Sequence, residues 1–415
     1  MAELFDFQKS SVRALLNTQA KIMVAGCGSG KNPTSMVWAK ECCEKNNITK
    51  ILVVTTASKA RTTDHADDMD TFCPGFRETL SSFSVISWHK LAAWVQNSAE
   101  HLDRYVYVFD EIQRGSAGVS SGMGKAFLKI AKRTSNWAGF TGTPGDTWLK
   151  FYAYFTACGF VRNKTHFLAE YAVVQTYKGY PEIMCWKHED RLKRMWATIS
   201  YAPDTSDIEK QMPSETHKMV HFDRPAKYNK ILKTRTNEAG EFLDTAGALV
   251  AELRRQCFTK DKQEWIKDLV TDIESGCVFF YNYIATGDKL EEIITKALGN
   301  EGKVWRIDGK HHEIPTASTI GPKDMVICQW QSGSEALNLQ FLHYWVAVEL
   351  CYSYSTAIQG RGRIKRVGQK HPMTFWYLLT DGTIEQDVLD ILKNKGEFSE
   401  QNWCISKKLI EGEEK

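Results

Sequence analysis

The sequence lacks the features that mark several classes of protein. It has no uninterrupted apolar stretch of about 18 residues, so we expect no membrane-spanning helix. The first residues, MAELFDFQKS, include acidic side chains and no apolar core, so we expect no secretory signal. The eleven cysteines form no C-x-x-C pair, which indicates neither a zinc site nor a disulfide framework. We therefore expect reduced thiols in a cytosol-like compartment.

The excess of one sign of charge over the other is also small, and no tandem repeat or low-complexity tract is present. The formal net charge is only +3. This value neither indicates nor excludes a polyanionic partner, because phosphate contacts need only a few well-placed Lys and Arg side chains. What the chain does have is length, 415 residues, with 43% hydrophobic and 25% charged residues. These values are typical of a globular protein of two or three domains.

Two parts of the chain alternate between apolar strands and helical segments, which predicts parallel sheets covered on both faces. The predicted strands of the first part are KIMVAGC, ILVVTT, SFSVIS, YVYVFD and WAGFTGT. Those of the second part are CVFFYNY, KVWRID, MVICQW, YWVAVEL and TFWYLL. The section between them has mostly helical periodicity and is punctuated by prolines. We expect an α/β protein with domains at 1–150 and 263–415 and a mainly helical connector at 151–262.

The stretch VAGCGSGKNPTS, residues 24–35, lies between a predicted strand and a predicted helix. A glycine-rich turn in this context can direct backbone N–H groups and a helix N-terminus at phosphate oxygens, with Lys31 reaching the β- and γ-phosphates. The alternative is a glycine turn with an incidental lysine.

The stretch YVYVFDEIQ ends a strand with Asp110 and Glu111. The carboxyl ends of parallel strands are where α/β proteins bind ligands. One carboxylate can hold a hydrated Mg²⁺ and the other can polarise an attacking water. A solvated acidic loop is the alternative.

The stretch IQGRGRIKRVGQ, residues 358–369, contains Arg363 and Arg366. Their spacing of three predicts that both lie on one face of a single helix. Such a pair suits the charge on a transferring phosphoryl group, although a basic surface helix remains the alternative.

Taken in order, these motifs resemble a superfamily 2 helicase-like ATPase of the Swi/Snf-type branch of DNA translocases. The resemblance extends over nearly the whole chain, and the short length is similar to that of bacteriophage-encoded members. The motifs that carry it are FDFQKSSV, AGCGSGK, VVTTASK, SVISWHKL, FDEIQ, GFTGTP, VFFYNYIATGDKL, QWQSGSEALNLQ, QGRGRIKRVGQ and TFWYLLTDGTIEQDVLDILKNK. It implies two RecA-like domains, ATP and Mg²⁺ as cofactors, and nucleic acid as partner. The Swi/Snf-type branch favours double-stranded DNA as that nucleic acid.

The resemblance also implies roles for individual residues. The nucleotide-binding set is Gln8 for adenine with Gly26, Gly28, Ser29, Gly30, Lys31, Asn32, Gly333, Arg363 and Arg366. The catalytic set is Lys31, Asp110, Glu111, Gln359, Arg363 and Arg366, with Asp110 and Asn32 at the metal. The coupling set is Gln113, Thr141 and Thr143. The nucleic-acid set is Thr56, Lys59, Ser87, Ser332 and Asn338, and for the first three an ordinary loop role is an equal alternative.

Three positions depart from the family pattern. Asn32 replaces the hydroxyl that binds Mg²⁺, and an amide oxygen is a legitimate but differently aimed ligand. Pro33 removes one N–H from the first helical turn, and Thr34 points about 200° around the helix and cannot substitute. Ala336 stands where a glycine is usual. We expect a working nucleotide site with weakened metal binding.

The sequence thus predicts a monomeric, cytoplasmic ATP-dependent DNA helicase or translocase that hydrolyses ATP between its two α/β domains, in a host cytoplasm if the gene is viral. One alternative is a nucleic-acid-binding protein with weak or absent hydrolysis, suggested by Asn32 and Pro33. The other is an RNA-directed helicase of the same superfamily.

Overall fold

The structure is a computed structural model that describes residues 2–26, 28–116, 121–145, 147–177, 180–311, 313–333 and 337–394. The chain divides into two compact units, Met1–Glu209 and Lys210–Lys415. None of the helices in this described part combines the length and the apolar character that crossing a membrane requires.

The first unit is built on a six-stranded parallel sheet with the order β3-β2-β4-β5-β1-β8. A separate antiparallel pair is formed by β6 and β7. The strands are β1 Ile22–Val24, β2 Lys50–Thr55, β3 Ser82–Ser87, β4 Val106–Asp110, β5 Trp137–Thr141, β6 Ala172–Tyr177, β7 Tyr180–Trp186 and β8 Ser200–Tyr201. The helices are α1 Asp6–Asn17, α2 Lys31–Asn46, α3 Asp64–Phe72, α4 Leu91–Asn97, α5 Gln113–Ser116, α6 Gly122–Arg133, α7 Trp148–Ala157, α8 Lys164–Tyr171, α9 Glu189–Ile199 and α10 Ser206–Gln211, which contains the division between the units.

Both faces of this sheet are buried, as β4 illustrates. Val106 and Val108 lie in one apolar cluster together with residues of α1, α2 and α3. Tyr107 and Phe109 point to the opposite face and pack in a second cluster with residues of α4, α6 and α7. A strand buried on both faces is apolar at successive positions, which explains why β4 could be predicted from the sequence.

The second unit repeats this architecture with a parallel sheet of order β11-β12-β10-β13-β14-β9. Its strands are β9 Glu215–Phe222, β10 Cys277–Tyr281, β11 Val304–Ile307, β12 Met325–Gln329, β13 Tyr344–Ala347 and β14 Met373–Thr380. Its helices are α11 Ala226–Thr234, α12 Ala246–Cys257, α13 Lys260–Asp272, α14 Ile284–Leu298, α15 Trp330–Gly333, α16 Tyr354–Arg361 and α17 Ile384–Lys393. Two apolar clusters cover its two faces.

The predicted α/β class with two parallel-sheet domains is confirmed. All ten predicted strands are present at their predicted positions. The section 151–262 contains mostly helices, but its elements are divided between the units: β8 pairs with β1 in the first sheet, and β9 pairs with β14 in the second. The exact three-part division at 150 and 262 stays a prediction.

Candidate functional site

The glycine-rich loop follows β1 and ends where α2 begins. Gly28 and Gly30 have φ values of +79° and +72°, in the left-handed region that favours glycine. Gly30 is the residue that precedes the first turn of α2. The N-terminus of this helix, with its unpaired N–H groups and partial positive charge, therefore opens directly from the loop. Cys27 of the predicted motif lies outside the described residues.

Lys31 is the first residue of α2 and its side chain turns back across the loop. Its Nζ donates to the carbonyl oxygens of Ala25 at 2.9 Å and Gly26 at 2.8 Å. The Ser29 hydroxyl also donates to the Gly26 oxygen, at 2.8 Å. The ammonium thus lies at the centre of the loop, where a bound anion would meet it.

Gln8, the predicted adenine-reading residue, supports the same loop from α1. Its Nε2 donates to the carbonyl oxygens of Ser29 and Gly30, each at 3.2 Å. Its Oε1 accepts the Phe5 N–H at 2.9 Å. The side chain is buried, and it holds the loop directly. Adenine recognition by Gln8 stays a prediction.

Asp110 and Glu111 lie at the carboxyl end of β4, as predicted. Glu111 has φ +50°, which is uncommon for a residue with a side chain and is often found at functional sites. Its Oε2 accepts a hydrogen bond from Gln113 Nε2 at 2.5 Å, and Gln113 Oε1 accepts one from the Thr141 hydroxyl at 2.7 Å. The Thr143 N–H donates to the same hydroxyl at 3.0 Å. The three predicted coupling residues are therefore hydrogen-bonded in a chain that starts at Glu111.

The Asp110 carboxylate is buried, and one of its oxygens, Oδ2, has several polar contacts. Its Oδ2 accepts from the Thr55 hydroxyl at 2.7 Å and from Lys59 Nζ at 2.9 Å, and His65 Nε2 lies 3.9 Å away. Burial alone would raise the pKa of Asp110, but the positive charge of Lys59 and the hydrogen bonds from Thr55 and Lys59 hold this pKa well below its usual range. Burial lowers the pKa of His65 to about 4. Asp110 is therefore ionised at neutral pH, and His65 is neutral.

Lys59 also contacts Asn32, the residue that departs from the usual loop pattern. Its Nζ donates to Asn32 Oδ1 at 2.9 Å while it pairs with Asp110. Thr34 does not replace the missing hydroxyl, because its own hydroxyl donates to the Gly30 carbonyl oxygen at 2.9 Å. The two residues predicted to bind Mg²⁺, Asn32 and Asp110, thus share one cation, which is the ammonium of Lys59.

The arrangement does not fit a resident Mg²⁺ at that point. Mg²⁺ takes oxygen ligands at about 2.0–2.1 Å in octahedral geometry. Here the two oxygens that would bind the metal, Asn32 Oδ1 and Asp110 Oδ2, accept hydrogen bonds from the Lys59 ammonium instead. Among the residues that the structure describes, no group of three or more His, Cys, Asp or Glu side chains could hold a metal ion.

Thr56 and Ser87, predicted to contact a nucleic-acid backbone, lie at the carboxyl ends of β2 and β3 and are both buried. The Thr56 hydroxyl accepts the Lys59 N–H at 3.4 Å and lies 3.3 Å from the Ser58 hydroxyl. Thr56 therefore stabilises the turn from which Lys59 reaches the site. Nucleic-acid contacts by Thr56, Lys59 and Ser87 stay predictions.

In the second unit, Gln359 lies on α16, but the prediction that Arg363 and Arg366 share one helix is wrong. The helix ends at Arg361, with Gly362 as its capping residue, and both arginines lie in the turns that follow. Gly360 and Gly362 destabilise a helix because glycine loses most backbone freedom in it.

The two arginines nevertheless converge. Arg363 Nη1 and Arg366 Nη1 donate to the carbonyl oxygen of Leu337, at 3.2 and 3.0 Å. Arg363 Nε also donates to the Gln359 carbonyl oxygen at 3.0 Å. Arg363 is buried, whereas Arg366 is half-buried.

The other predicted residues of this unit lie nearby in sequence. Ser332 and Gly333 end α15, and Asn338 is exposed and accepts a hydrogen bond from Arg366 Nη1 at 3.3 Å. Ala336 lies outside the described residues.

The sequence did not indicate that His65 and Trp88 contact Asp110, and it predicted a different partner for Lys59. His65 has no motif around it, and the Trp88 indole N–H donates to the Asp110 carbonyl oxygen at 2.9 Å. Lys59 was a candidate, but for a different ligand. No signal in the sequence brings it to Asp110, which lies 51 positions away.

Part of the chain is similar in sequence to a bacterial helicase. No protein-family model matches the chain. The chain is 25% identical over 153 residues to "Uncharacterized ATP-dependent helicase YqhH" of Bacillus subtilis (strain 168), which covers 37% of this chain and 27% of that protein. The match thus spans about a quarter of the relative's length.

A solved structure, "Sulfolobus solfataricus SWI2/SNF2 ATPase core in complex with dsDNA", is 14% identical with a TM-score of 0.43, covering 95% of this chain and 91% of the other. The predicted resemblance to a superfamily 2 helicase-like ATPase is confirmed by the helicase match. The bacteriophage origin stays a prediction.

Proposed function

We propose that the chain is an ATP-dependent DNA helicase or translocase that hydrolyses ATP at the loop of the first unit and uses the energy to move along DNA. The observation that carries the proposal is that Lys59 bonds both Asn32, in the first turn of α2, and Asp110, at the end of β4. The loop that holds Lys31 and the strand end that holds Asp110 and Glu111 therefore lie at one edge of the first sheet. The ordered motifs and the similarity to an ATP-dependent helicase support it.

The proposed chemistry assigns each group a separate task. The loop N–H groups and Lys31 bind the phosphates, since a helix N-terminus and an ammonium both favour anions. Glu111 accepts a proton from the attacking water. Its hydrogen bond to Gln113 leaves one carboxylate oxygen for this task.

The chain Glu111–Gln113–Thr141 supports a coupling role. A shift of Glu111 on nucleotide binding would be transmitted through Gln113 to Thr141 and on to the Thr143 N–H. We assign Gln359, Arg363 and Arg366 to contacts with the γ-phosphate, as the family resemblance implies.

The proposed nucleic acid is duplex DNA, held mainly through phosphate and sugar. Such binding weakens with salt and is largely indifferent to sequence. RNA-directed activity is the competing outcome of the test.

The test is an ATPase assay with duplex DNA, single-stranded DNA, structured RNA or no nucleic acid. We expect duplex DNA to stimulate phosphate release most strongly. Glu111→Gln should lower the stimulated rate by about 100-fold or more, the range for loss of a general base. Glu44→Gln is the matched control, because Glu44 is an exposed α2 residue paired with Lys40, and its rate should be unchanged.

Preferential stimulation by RNA would contradict the choice of DNA. Equal rates for the unsubstituted protein and Glu111→Gln would favour the second candidate function, nucleotide binding with little hydrolysis. The observation that favours this second candidate is that the Lys59 ammonium donates hydrogen bonds to both Asp110 and Asn32, the two residues predicted to bind Mg²⁺.

A further inference from the structure

The ammonium of Lys59 lies between two oxygens that come from different elements of the first unit. Asn32 Oδ1 belongs to the first turn of α2, and Asp110 Oδ2 belongs to the end of β4; each is 2.9 Å from Nζ. The Lys59 side chain is 16% exposed and that of Asp110 is 3% exposed. The ion pair is therefore largely shielded from water. Its electrostatic attraction is screened less than that of an ion pair at the surface.

The position of Lys59 is fixed by the local backbone. Strand β2 lies next to β4, with Val54 opposite Phe109. Thr55, the last residue of β2, donates to the same Asp110 oxygen as Lys59 does. The chain then turns, with the Lys59 N–H directed at the Thr56 hydroxyl, and a short 3₁₀ helix begins at Lys59.

The contact explains why Asn32 suits this loop. A Ser or Thr hydroxyl at this position has a shorter reach than the Asn amide, whose Oδ1 is a strong acceptor for an ammonium. A metal ion and the ammonium cannot share one point, because both are cations and the metal needs its oxygens about 0.8 Å closer.

We propose that Lys59 supplies the positive charge that a metal ion supplies in related sites, so that a nucleoside triphosphate binds here with little or no need for a divalent cation. This inference rests on the proposed function, because it concerns the cofactor requirement of the same loop. Lys59 is the cation that offsets Asp110 and lies beside the helix N-terminus where the phosphates bind.

The first test measures affinity for a non-hydrolysable ATP analogue by calorimetry, with excess MgCl₂ and with EDTA. The unsubstituted protein should bind with nearly the same Kd in both conditions. Lys59→Met removes the charge and keeps most of the volume, and its Kd in EDTA should rise by about tenfold or more over its Kd in MgCl₂. Lys40→Met, at a half-buried lysine of α2 that pairs with Glu44, is the matched control and should behave like the unsubstituted protein.

The second test needs no nucleotide. Mn²⁺ is added to the protein without nucleotide, and the signal of unbound Mn²⁺ is followed by electron paramagnetic resonance. The unsubstituted protein should bind no Mn²⁺ at this site, whereas Lys59→Met should bind it through Asp110. Lys59→Met combined with Asp110→Asn should lose that binding again. If Lys59→Met does not fold, Asn32→Thr serves in its place, because it removes one of the two acceptors.

The possible results separate the two proposals. If removal of the metal weakens nucleotide binding as much in the unsubstituted protein as in Lys59→Met, the proposed role of Lys59 is wrong. The ATPase proposal is not affected by that result. Absence of nucleotide binding in either condition contradicts the proposed function itself. Mn²⁺ binding by the unsubstituted protein that Asp110→Asn abolishes also overturns the inference.

Discussion

Replacing Gly30 by alanine tests how the phosphate-type loop is held. Gly30 has φ +72°, a conformation that costs an L-residue about 1–2 kcal/mol. A Cβ at this position would come within 2.2 Å of Gln8 Nε2, so the Gln8 amide must move away. Its hydrogen bonds to the Ser29 and Gly30 carbonyl oxygens would then be lost.

The expected cost follows from these two effects. Each hydrogen bond contributes about 0.5–1.5 kcal/mol to stability. Alanine also reduces the freedom of the unfolded chain, which returns about 0.4–1 kcal/mol. Gly30→Ala should therefore lower the opening free energy of the loop region by about 1 to 4.5 kcal/mol.

The assay is native-state hydrogen exchange of the amides in α1 and α2, because it reports local opening without requiring that the two units unfold together. Gly26→Ala is the matched control in the same loop. No heavy atom lies within 4 Å of a Cβ at Gly26, and its φ is outside the left-handed region. Its effect should stay within about 0.5 kcal/mol.

Gln8→Ala completes a double-mutant cycle. In its background Gly30→Ala should cost only about 0–1.6 kcal/mol, which is the backbone penalty less the effect on the unfolded chain, because no amide remains to be displaced. Equal costs of Gly30→Ala in both backgrounds would refute the Gln8 contact as the reason. Equal exchange in Gly30→Ala and Gly26→Ala would refute the whole argument.

Two further substitutions test packing and coupling. Lys262 and Glu385 form a buried ion pair at 2.6 Å. In urea titrations Lys262→Met should therefore lower the free energy of unfolding of the second unit by about 3–5 kcal/mol, because it leaves the Glu385 charge buried and unpaired, and adding Glu385→Leu should recover most of this loss. A loss below about 1 kcal/mol would contradict the prediction. Thr141→Val removes the hydroxyl that bonds Gln113, so it should preserve ATP binding while reducing nucleic-acid stimulation of the ATPase about tenfold. Thr198→Val, at an exposed helix position, should leave that stimulation intact, and an equal loss in both variants would exclude a specific coupling role.

The buried strands of both sheets could be predicted because parallel strands covered on both faces are continuously apolar. Strand β9, ETHKMVHF, could not, because it is an edge strand whose residues are mostly exposed and its sequence is largely polar. The extent of α16 was also misjudged, since the spacing of Arg363 and Arg366 indicated a helix while Gly360 and Gly362 end it.

The candidate site was predictable where it follows from strand ends and fixed spacing. Glu111, Gln113 and Thr141 meet because β4 and β5 are adjacent and parallel. The position of Lys59 depends on a turn after β2 and on a contact with a residue from another strand, and neither leaves a periodic pattern in the sequence.

Asn32 and Pro33, the two loop residues that depart from the family pattern, both change which groups can donate hydrogen bonds to an anion. Pro33 removes a backbone donor, and Asn32 positions a side-chain donor. Pro33 lies in the first turn of α2, where no intrahelical hydrogen bond is lost, but where its missing N–H is one donor fewer for a ligand. Asn32 meanwhile accepts a hydrogen bond from Lys59 at the same helix end, where Lys31 begins α2. If the loop binds phosphate as proposed, it would rely less on backbone N–H groups and more on ammonium groups. An ammonium carries a full charge where an N–H carries a partial one, so Lys31 would attract the phosphate, while Lys59 would offset the Asp110 carboxylate that otherwise repels it.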